Sequence, residues 1–264
     1  KILITGAHGF VGNRLMQDLD DTVAAPSMRG MSEEQIRNMI EKSRADVIIH
    51  TAAISDVGTC EKDPGASYEA NVRLPLFLAK AAKEQKLICF SSDQVYRGCA
   101  GEGPYKEEDA SPCNVYGRHK LEMEQRVLNV KPDAVMLRAE WMYDYPAERS
   151  NYLRILLNEK QVLTFGKQYR GITYLREVAE NMPKIFMLPG GVYNFGSETK
   201  QTMYDITCEM LHFLKSDRKP EEVPPAHNLW MDCTKAKERG ILFSDAKEGL
   251  KRCLKDYHLT KDRE

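Results

Sequence analysis

The sequence predicts an α/β fold: a doubly wound parallel sheet with a smaller, interleaved C-terminal portion. Three observations predict it. Short apolar runs alternate with helix-period stretches from Ile2 to Leu137, the pattern of parallel strands joined by crossover helices. The first run, Ile2-Leu3-Ile4, feeds a glycine-rich loop that opens a helix. The alternation then loosens after Arg138 into shorter elements. The first part is expected over 1–143, with further elements returning to it from about 162–195, and the second over 144–264.

Each element has its own signal. Ile2-Leu3-Ile4 is a short apolar run of the kind found in a buried parallel strand. Gly9 to Leu19 reads as a helix with Phe10, Leu15 and Leu19 apolar, and Thr22-Val23-Ala24-Ala25 as a second strand. Ser32 is a helix cap, and the helix runs to about Arg44 with Glu33 to Gln35 suiting its first turn. Asp46 to His50 is a third strand, Pro64 to Lys83 a helix, and Leu87 to Phe90 a strand ending at Ser91-Ser92. Gly98 to Pro112 is rich in Gly, Pro and acid, and is expected to be a surface loop with Glu107, Glu108 and Asp109 on a solvated face. Val115 to Val130 is a helix and Ala134 to Leu137 a strand. Beyond, Asn151 to Leu157 and Tyr204 to Lys215 read as helices, Val162 to Phe165 and Val192 to Phe195 as strands, and Lys219 to Pro225 as a connector. Ala246 to Tyr257 closes the chain as an amphipathic helix.

Composition narrows the function classes. The 264 residues carry 38 basic and 39 acidic side chains, a net charge of −1, so no global field favours nucleic acid or a membrane surface. Seven scattered cysteines with no C-x-x-C pair point to reduced thiols in a cytoplasmic protein, and no Cys/His cluster has metal-ligand spacing. No apolar run approaches the ~18–20 residues of a membrane span. Lys1-Ile2-Leu3-Ile4 reads as a strand rather than a signal peptide.

The glycine loop, Thr5-Gly6-Ala7-His8-Gly9-Phe10-Val11-Gly12, has the spacing G-x-x-G-x-x-G. Between a strand and a helix, such glycines let the backbone approach a pyrophosphate while the helix offers free N–H groups. Folds that prefer NAD place an acid near the end of the second strand for the ribose diol. Here Ala25-Pro26-Ser27-Met28-Arg29 has no carboxylate, and Ser27 and Arg29 suit a 2′-phosphate. This points to NADP(H), with NAD(H) the alternative.

Tyr116 and Lys120 lie four residues apart near the start of a predicted helix. That is about one turn, so phenol and ammonium project from one face. A nearby ammonium is expected to lower the tyrosine pKa, making Tyr116 a proton donor or acceptor beside a bound dinucleotide. Ser92, at a strand end, is placed to hydrogen-bond a carbonyl oxygen.

These motifs resemble the extended short-chain dehydrogenase/reductases, a Rossmann-like family, and within them the dTDP-4-dehydrorhamnose reductase family. The resemblance is carried by Gly6, Gly9 and Gly12; by Ser91-Ser92-Asp93-Gln94-Val95-Tyr96; by Pro112 to Glu122; by Leu137 to Tyr143, which contains Trp141; and by Tyr193-Asn194-Phe195-Gly196. It implies hydride delivery from NAD(P)H to a sugar C4 carbonyl, with Tyr116 as proton donor, Lys120 holding the nicotinamide ribose and Ser92 orienting the carbonyl. It further implies that His8, Phe10, Val11, Ala52, Ala53 and Asn71 join the glycines on the cofactor, and that Val57, Asp93, Gln94 and Trp141 meet a nucleotide-sugar substrate. A homodimer is the implied assembly, with no metal site assigned.

Two neighbouring activities are weighed against this. Related dehydratases need Ser/Thr-Asp-Glu, and Gln94 cannot take a proton. Epimerases of the same superfamily use the same Tyr and Lys, and remain an alternative; so does a non-catalytic NAD(P)-binding regulatory protein. One segment departs from the family. Gln168-Tyr169-Arg170-Gly171-Ile172-Thr173 stands where Gln-x-Gly-x-Pro-Thr is typical, putting Arg170 at the glycine and Ile172 at the proline.

Overall fold

The computed structural model describes residues 1–146 and 149–260. Its centre is a six-stranded parallel sheet. The strands are β1 (Ile2–Thr5), β2 (Thr22–Ala24), β3 (Val47–His50), β4 (Lys86–Ser92), β5 (Val135–Ala139) and a late strand, Gly191–Phe195. The order is β2-β1-β3-β4-β5 and then the late strand. Strand order reverses between β1 and β3, which opens a crevice beyond their carboxyl ends.

Period-two alternation sorts the core. Ile2 and Ile4, Ile88 and Phe90, and Val135 and Leu137 face one side. Leu3, Ile48, Leu87, Cys89 and Met136 face the other. The first side is covered by α1 (Phe10–Asp18) and a later helix, Leu175–Ile185; the second by α2 (Glu33–Ser43), Leu74–Ala81 and Val115–Val130. Ser32 and Gln35 form a reciprocal capping box on α2, which fixes where that helix begins.

The stretch expected as one helix from Pro64 to Lys83 is broken. A helix α3 (Val57–Lys62), capped by Asp56, precedes it; then come α4 (Pro64–Tyr68), a π-turn at Glu69–Arg73, and α5 (Leu74–Ala81). Pro75 stands in the first turn of α5 and has no N–H for the preceding ladder, so the chain loosens there. Val115–Val130 is α6, with the expected bounds.

The rest of the chain builds a third core around Tyr143, Tyr152, Leu156, Ile172, Tyr174, Ile206 and Leu250. It contains β6 (Trp141–Tyr143), α7 (Tyr152–Leu157), β7 (Thr164–Phe165), β8 (Ile172–Tyr174), α9 (Met203–Phe213), β10 (Glu221–Glu222) and α11 (Ala246–Asp256). Between these, α8 (Leu175–Ile185) and β9 (Gly191–Phe195) return to the central sheet, and α10 (Thr234–Lys237) lies beside it. One expectation is corrected. The strand near Val162 pairs only with Glu221–Glu222, inside the expected connector, and not with the main sheet. The pair β6–β8 and helix α8 had no clear signal, being two three-residue strands and a helix carrying Pro183.

Buried polar groups fasten the loop after β4. Arg138 donates to both Glu124 oxygens, at 3.0 and 2.7 Å, and to the Tyr96 hydroxyl at 2.8 Å; Tyr96 donates to Asn194 at 2.6 Å. Glu107 is therefore not a solvated acid. Its side chain accepts the Asn194 N–H at 2.8 Å and its carbonyl accepts Arg138 at 2.7 Å.

Candidate active site

The chain leaves β1 in a turn that only glycine fits. Gly6 has φ +68°, and a Cβ there would stand 2.8 Å from the Ala52 nitrogen. Gly12, inside α1, faces the Gly6 carbonyl at a distance no Cβ tolerates; it sets the approach of helix to turn. Gly9 caps α1 without a side-chain hydrogen bond, so the first-turn N–H groups stay open to a ligand.

Two clefts meet over this turn and share Gly6, Gly9, Ala52 and Ala53. One, of about 280 Å³, is bounded by His8, Ala25, Ser27 and Arg29 at the end of β2. The other, of about 430 Å³, runs past Phe10 and Val11 to Ser92, Asp93, Tyr116, Lys120 and Trp141. Residues distant in sequence thus line one continuous crevice at the switch point of the sheet.

Ser92 ends β4, and Asn114 caps α6 by accepting the Gly117 N–H at 2.7 Å. This aims Tyr116 and Lys120 into the cleft. The Lys120 ammonium lies 5.7 Å from the centre of the Tyr116 ring and donates to the Phe90 carbonyl at 2.8 Å. Burial lowers its pKa to about 8. The expected depression of the Tyr116 pKa is not found: burial pushes the phenol up, and a hydrogen bond with Ser92 opposes this only in part. The physical reason is that a fully buried phenolate loses more hydration than these neighbours return. Behind them, His50 shares a 2.7 Å hydrogen bond with Thr5, and burial, with Lys120 nearby, lowers its pKa to about 3.

Several expected residues stand elsewhere. The side chain of Gln94 turns to Asn114, accepting its amide at 3.0 Å, and so braces the start of α6. Val57 packs with Cys60, Val115 and Tyr116 below the cleft. Asn71 is fully buried and donates to the Ile54 carbonyl at 2.9 Å and to Ser67 at 3.2 Å, while its Oδ1 has no partner among the described residues. None of the three is among the residues bounding the two clefts.

Thr51, Ser55, Arg149 and Glu140 join the cleft without having been singled out in the sequence, and so does Arg170, which the sequence marked as a departure from the family. Glu140 follows β5, so the rule that ligands meet strand ends could have found it. It is buried, and Thr173 donates to its Oε1 at 2.6 Å. Burial, with Asp93 adding to it, pushes its pKa up to about 8. Arg170 donates from Nε to Asp93 Oδ2 at 3.2 Å, with Nη2 ion-paired to the same oxygen at 3.0 Å, and its guanidinium lies 5.3 Å from the centre of the Trp141 ring. Among the described residues, no group of three or more His, Cys, Asp or Glu is placed to hold a metal ion, and no helix is long and apolar enough to cross a membrane.

Several known proteins are similar to this chain along most of its length. A dTDP-4-dehydrorhamnose reductase of Aggregatibacter actinomycetemcomitans is 28% identical over 85% of this chain and 82% of that relative. The methionine adenosyltransferase 2 subunit beta of Mus musculus is 27% identical over 91% of this chain and 83% of its own. The crystal structure of dTDP-4-dehydrorhamnose reductase from Bacillus anthracis, in complex with NADP, superposes with a TM-score of 0.85 at 22% identity, covering 97% of both chains. The family profile of the RmlD substrate binding domain matches residues 1–259, and the chain belongs to that family, a branch of the extended short-chain dehydrogenase/reductases.

Proposed function

We propose that this chain is an NAD(P)H-dependent reductase of a nucleotide-linked 4-keto sugar, of the dTDP-4-dehydrorhamnose reductase kind. One observation carries the reading: a phenol, a serine hydroxyl and a buried ammonium line the same cleft as an uncapped helix N-terminus behind a glycine turn. The residues fit a dinucleotide. Gly6, Gly9 and the start of α1 suit its pyrophosphate, Ala52 and Ala53 give a low floor, and Ser27 and Arg29 stand at the adenosine end. Among the described residues, none bounding that end is a carboxylate, which supports NADP(H) over NAD(H).

A bound nicotinamide supplies the hydride. The protein's part is to hold and protonate the carbonyl. Ser92 donates a hydrogen bond to the carbonyl oxygen and polarises it. As the carbon gains hydride and its electron pair, the C=O π pair moves to oxygen, which takes the phenolic proton of Tyr116. The high pKa of Tyr116 keeps that proton in place until it is needed. Lys120, tethered to Phe90, then opposes the phenolate charge left behind. Trp141 meets the sugar side, with the paired Asp93 and Arg170 beside it. Residues 1–143, with α8 and β9, are read as the cofactor half, and 144–264, whose last four residues lie outside the described ones, as mainly the substrate half. A cytoplasmic homodimer completes the proposal, to be checked by light scattering.

The test is NADPH oxidation with dTDP-4-dehydrorhamnose and a panel of other 4-keto nucleotide sugars, with NADH in parallel. Turnover with NADPH is expected. NADPH binding with no turnover on any of them would sink the reading in favour of a regulatory subunit, for which the resemblance to the methionine adenosyltransferase subunit speaks. Tightly held NAD with no net NADPH consumption would favour an epimerase.

A further inference from the structure

We propose that Arg170 is a positioning residue for the reduction, acting through Asp93 on the Ser92 hydroxyl. The inference rests on the reductase reading above. Asp93 is buried, and both its oxygens are engaged. Oδ1 accepts the Ser92 hydroxyl at 3.2 Å, and Oδ2 accepts Arg170 Nε at 3.2 Å and is ion-paired with its Nη2 at 3.0 Å. A chain of hydrogen bonds therefore runs from the guanidinium to the hydroxyl that faces the reacting carbonyl.

That chain sets a conflict and resolves it. Ser92 has one proton. While it points at Asp93 it cannot point at a substrate oxygen. A bare carboxylate would hold the proton firmly and would also repel the negative charge that hydride transfer places on the carbonyl oxygen. Arg170 draws the Asp93 charge to the far oxygen and offsets it, so the near oxygen releases Ser92 when a carbonyl arrives. The guanidinium is itself fixed: the Trp141 ring lies beneath it, and the Arg170 backbone bridges to Leu229. Glu140 is the other acid facing this pair, bonded to Thr173 behind it.

The experiment is a double-mutant cycle in the full chain, read as kcat and KM with NADPH and two carbonyl probes: dTDP-4-dehydrorhamnose and the small diketone diacetyl. Arg170→Gln is expected to lower kcat by about 30-fold with KM changed less than about 3-fold, the split of a group that acts in the transition state. Arg170→Lys, which keeps the charge, is expected to lose less. Arg170→Gln combined with Asp93→Asn removes the uncompensated acid and is expected to return kcat to within about 5-fold of the unaltered chain. NADPH fluorescence titration checks that each variant still binds cofactor, and a variant that does not is replaced in the cycle by its Arg170→Met counterpart. Equal impairment of the single and double variants, or an effect confined to KM, would overturn the proposal. If the unaltered chain reduces diacetyl but no nucleotide sugar, the substrate reading fails and the cycle is decided on diacetyl. If it reduces neither, both fail together.

Discussion

Lys120 donates its ammonium to the carbonyl of Phe90, 2.8 Å away, and not to the phenol of Tyr116 one helical turn before it. The sheet backbone thus holds the charge at the cleft floor. That fixed position leaves the ammonium 5.7 Å from the Tyr116 ring centre and almost without water, so its pKa falls to about 8.

A pH dependence follows. A lysine with a lowered pKa is charged below that value and neutral above it. NADPH affinity of the free enzyme is expected to fall as pH rises through about 8. Lys120→Met is expected to bind NADPH about 10-fold or more weakly at neutral pH, with a flatter pH profile, because a charged hydrogen bond to the cofactor is lost. Fluorescence titration from pH 6 to about 9.5 measures both. An identical slope in the variant would exclude Lys120 as the titrating group.

Tyr116→Phe removes the phenolic proton and leaves the ring in its packing beside Val115 and Cys60. Reduction is expected to fall by about 100-fold or more, with NADPH binding within about 3-fold of the unaltered chain. Single-turnover and binding measurements separate the two, and near-normal turnover would remove Tyr116 from the role of proton donor.

Glu140 links stability to pH. Its carboxyl fills the space in which side chains at Gly171 and Gly196 would have to stand, and its folded pKa is raised from 4.5 to about 8. The folded state therefore keeps a proton that the unfolded chain releases. This contribution is fully present below about pH 4.5 and is lost as pH rises to about 8. Glu140→Gln keeps the shape without the charge. It is expected to melt several degrees above the unaltered chain at about pH 8.5 and close to it at about pH 5. Calorimetry at the two pH values is the check; a variant less stable at the higher pH would contradict it.

Arg29 stands at the mouth of the smaller cleft, its backbone N–H within 3.4 Å of Ser27 Oγ. Arg29→Ala is expected to raise the KM for NADPH about 10-fold and to leave that for NADH nearly unchanged, since only the 2′-phosphate would lose a charged partner. An equal effect on both cofactors would remove Arg29 from that role.

Much of this was legible in the chain because its signals are local. Ser32 and Gln35 define the start of α2, and Asn114 defines that of α6. Alternating apolar residues in β1, β4 and β5 sort themselves to the two sides of the sheet. The parts that were not legible depend on partners far away. Strands β6 and β8 are three residues each and exist through each other. Gln94 carries no mark that it would brace Asn114 rather than meet a ligand.

By itself, the sequence determined the doubly wound sheet, the glycine turn and the spacing that sets phenol and ammonium on one helical face. These follow from backbone sterics and periodicity, which act over a few residues. Only the tertiary structure decided the charge states. Burial governs both Tyr116, packed with Val57 and Cys60, and Glu140, packed against Gly171 and Gly196. Loss of water around an ionisable group depends on everything packed near it, so no short stretch of chain encodes it.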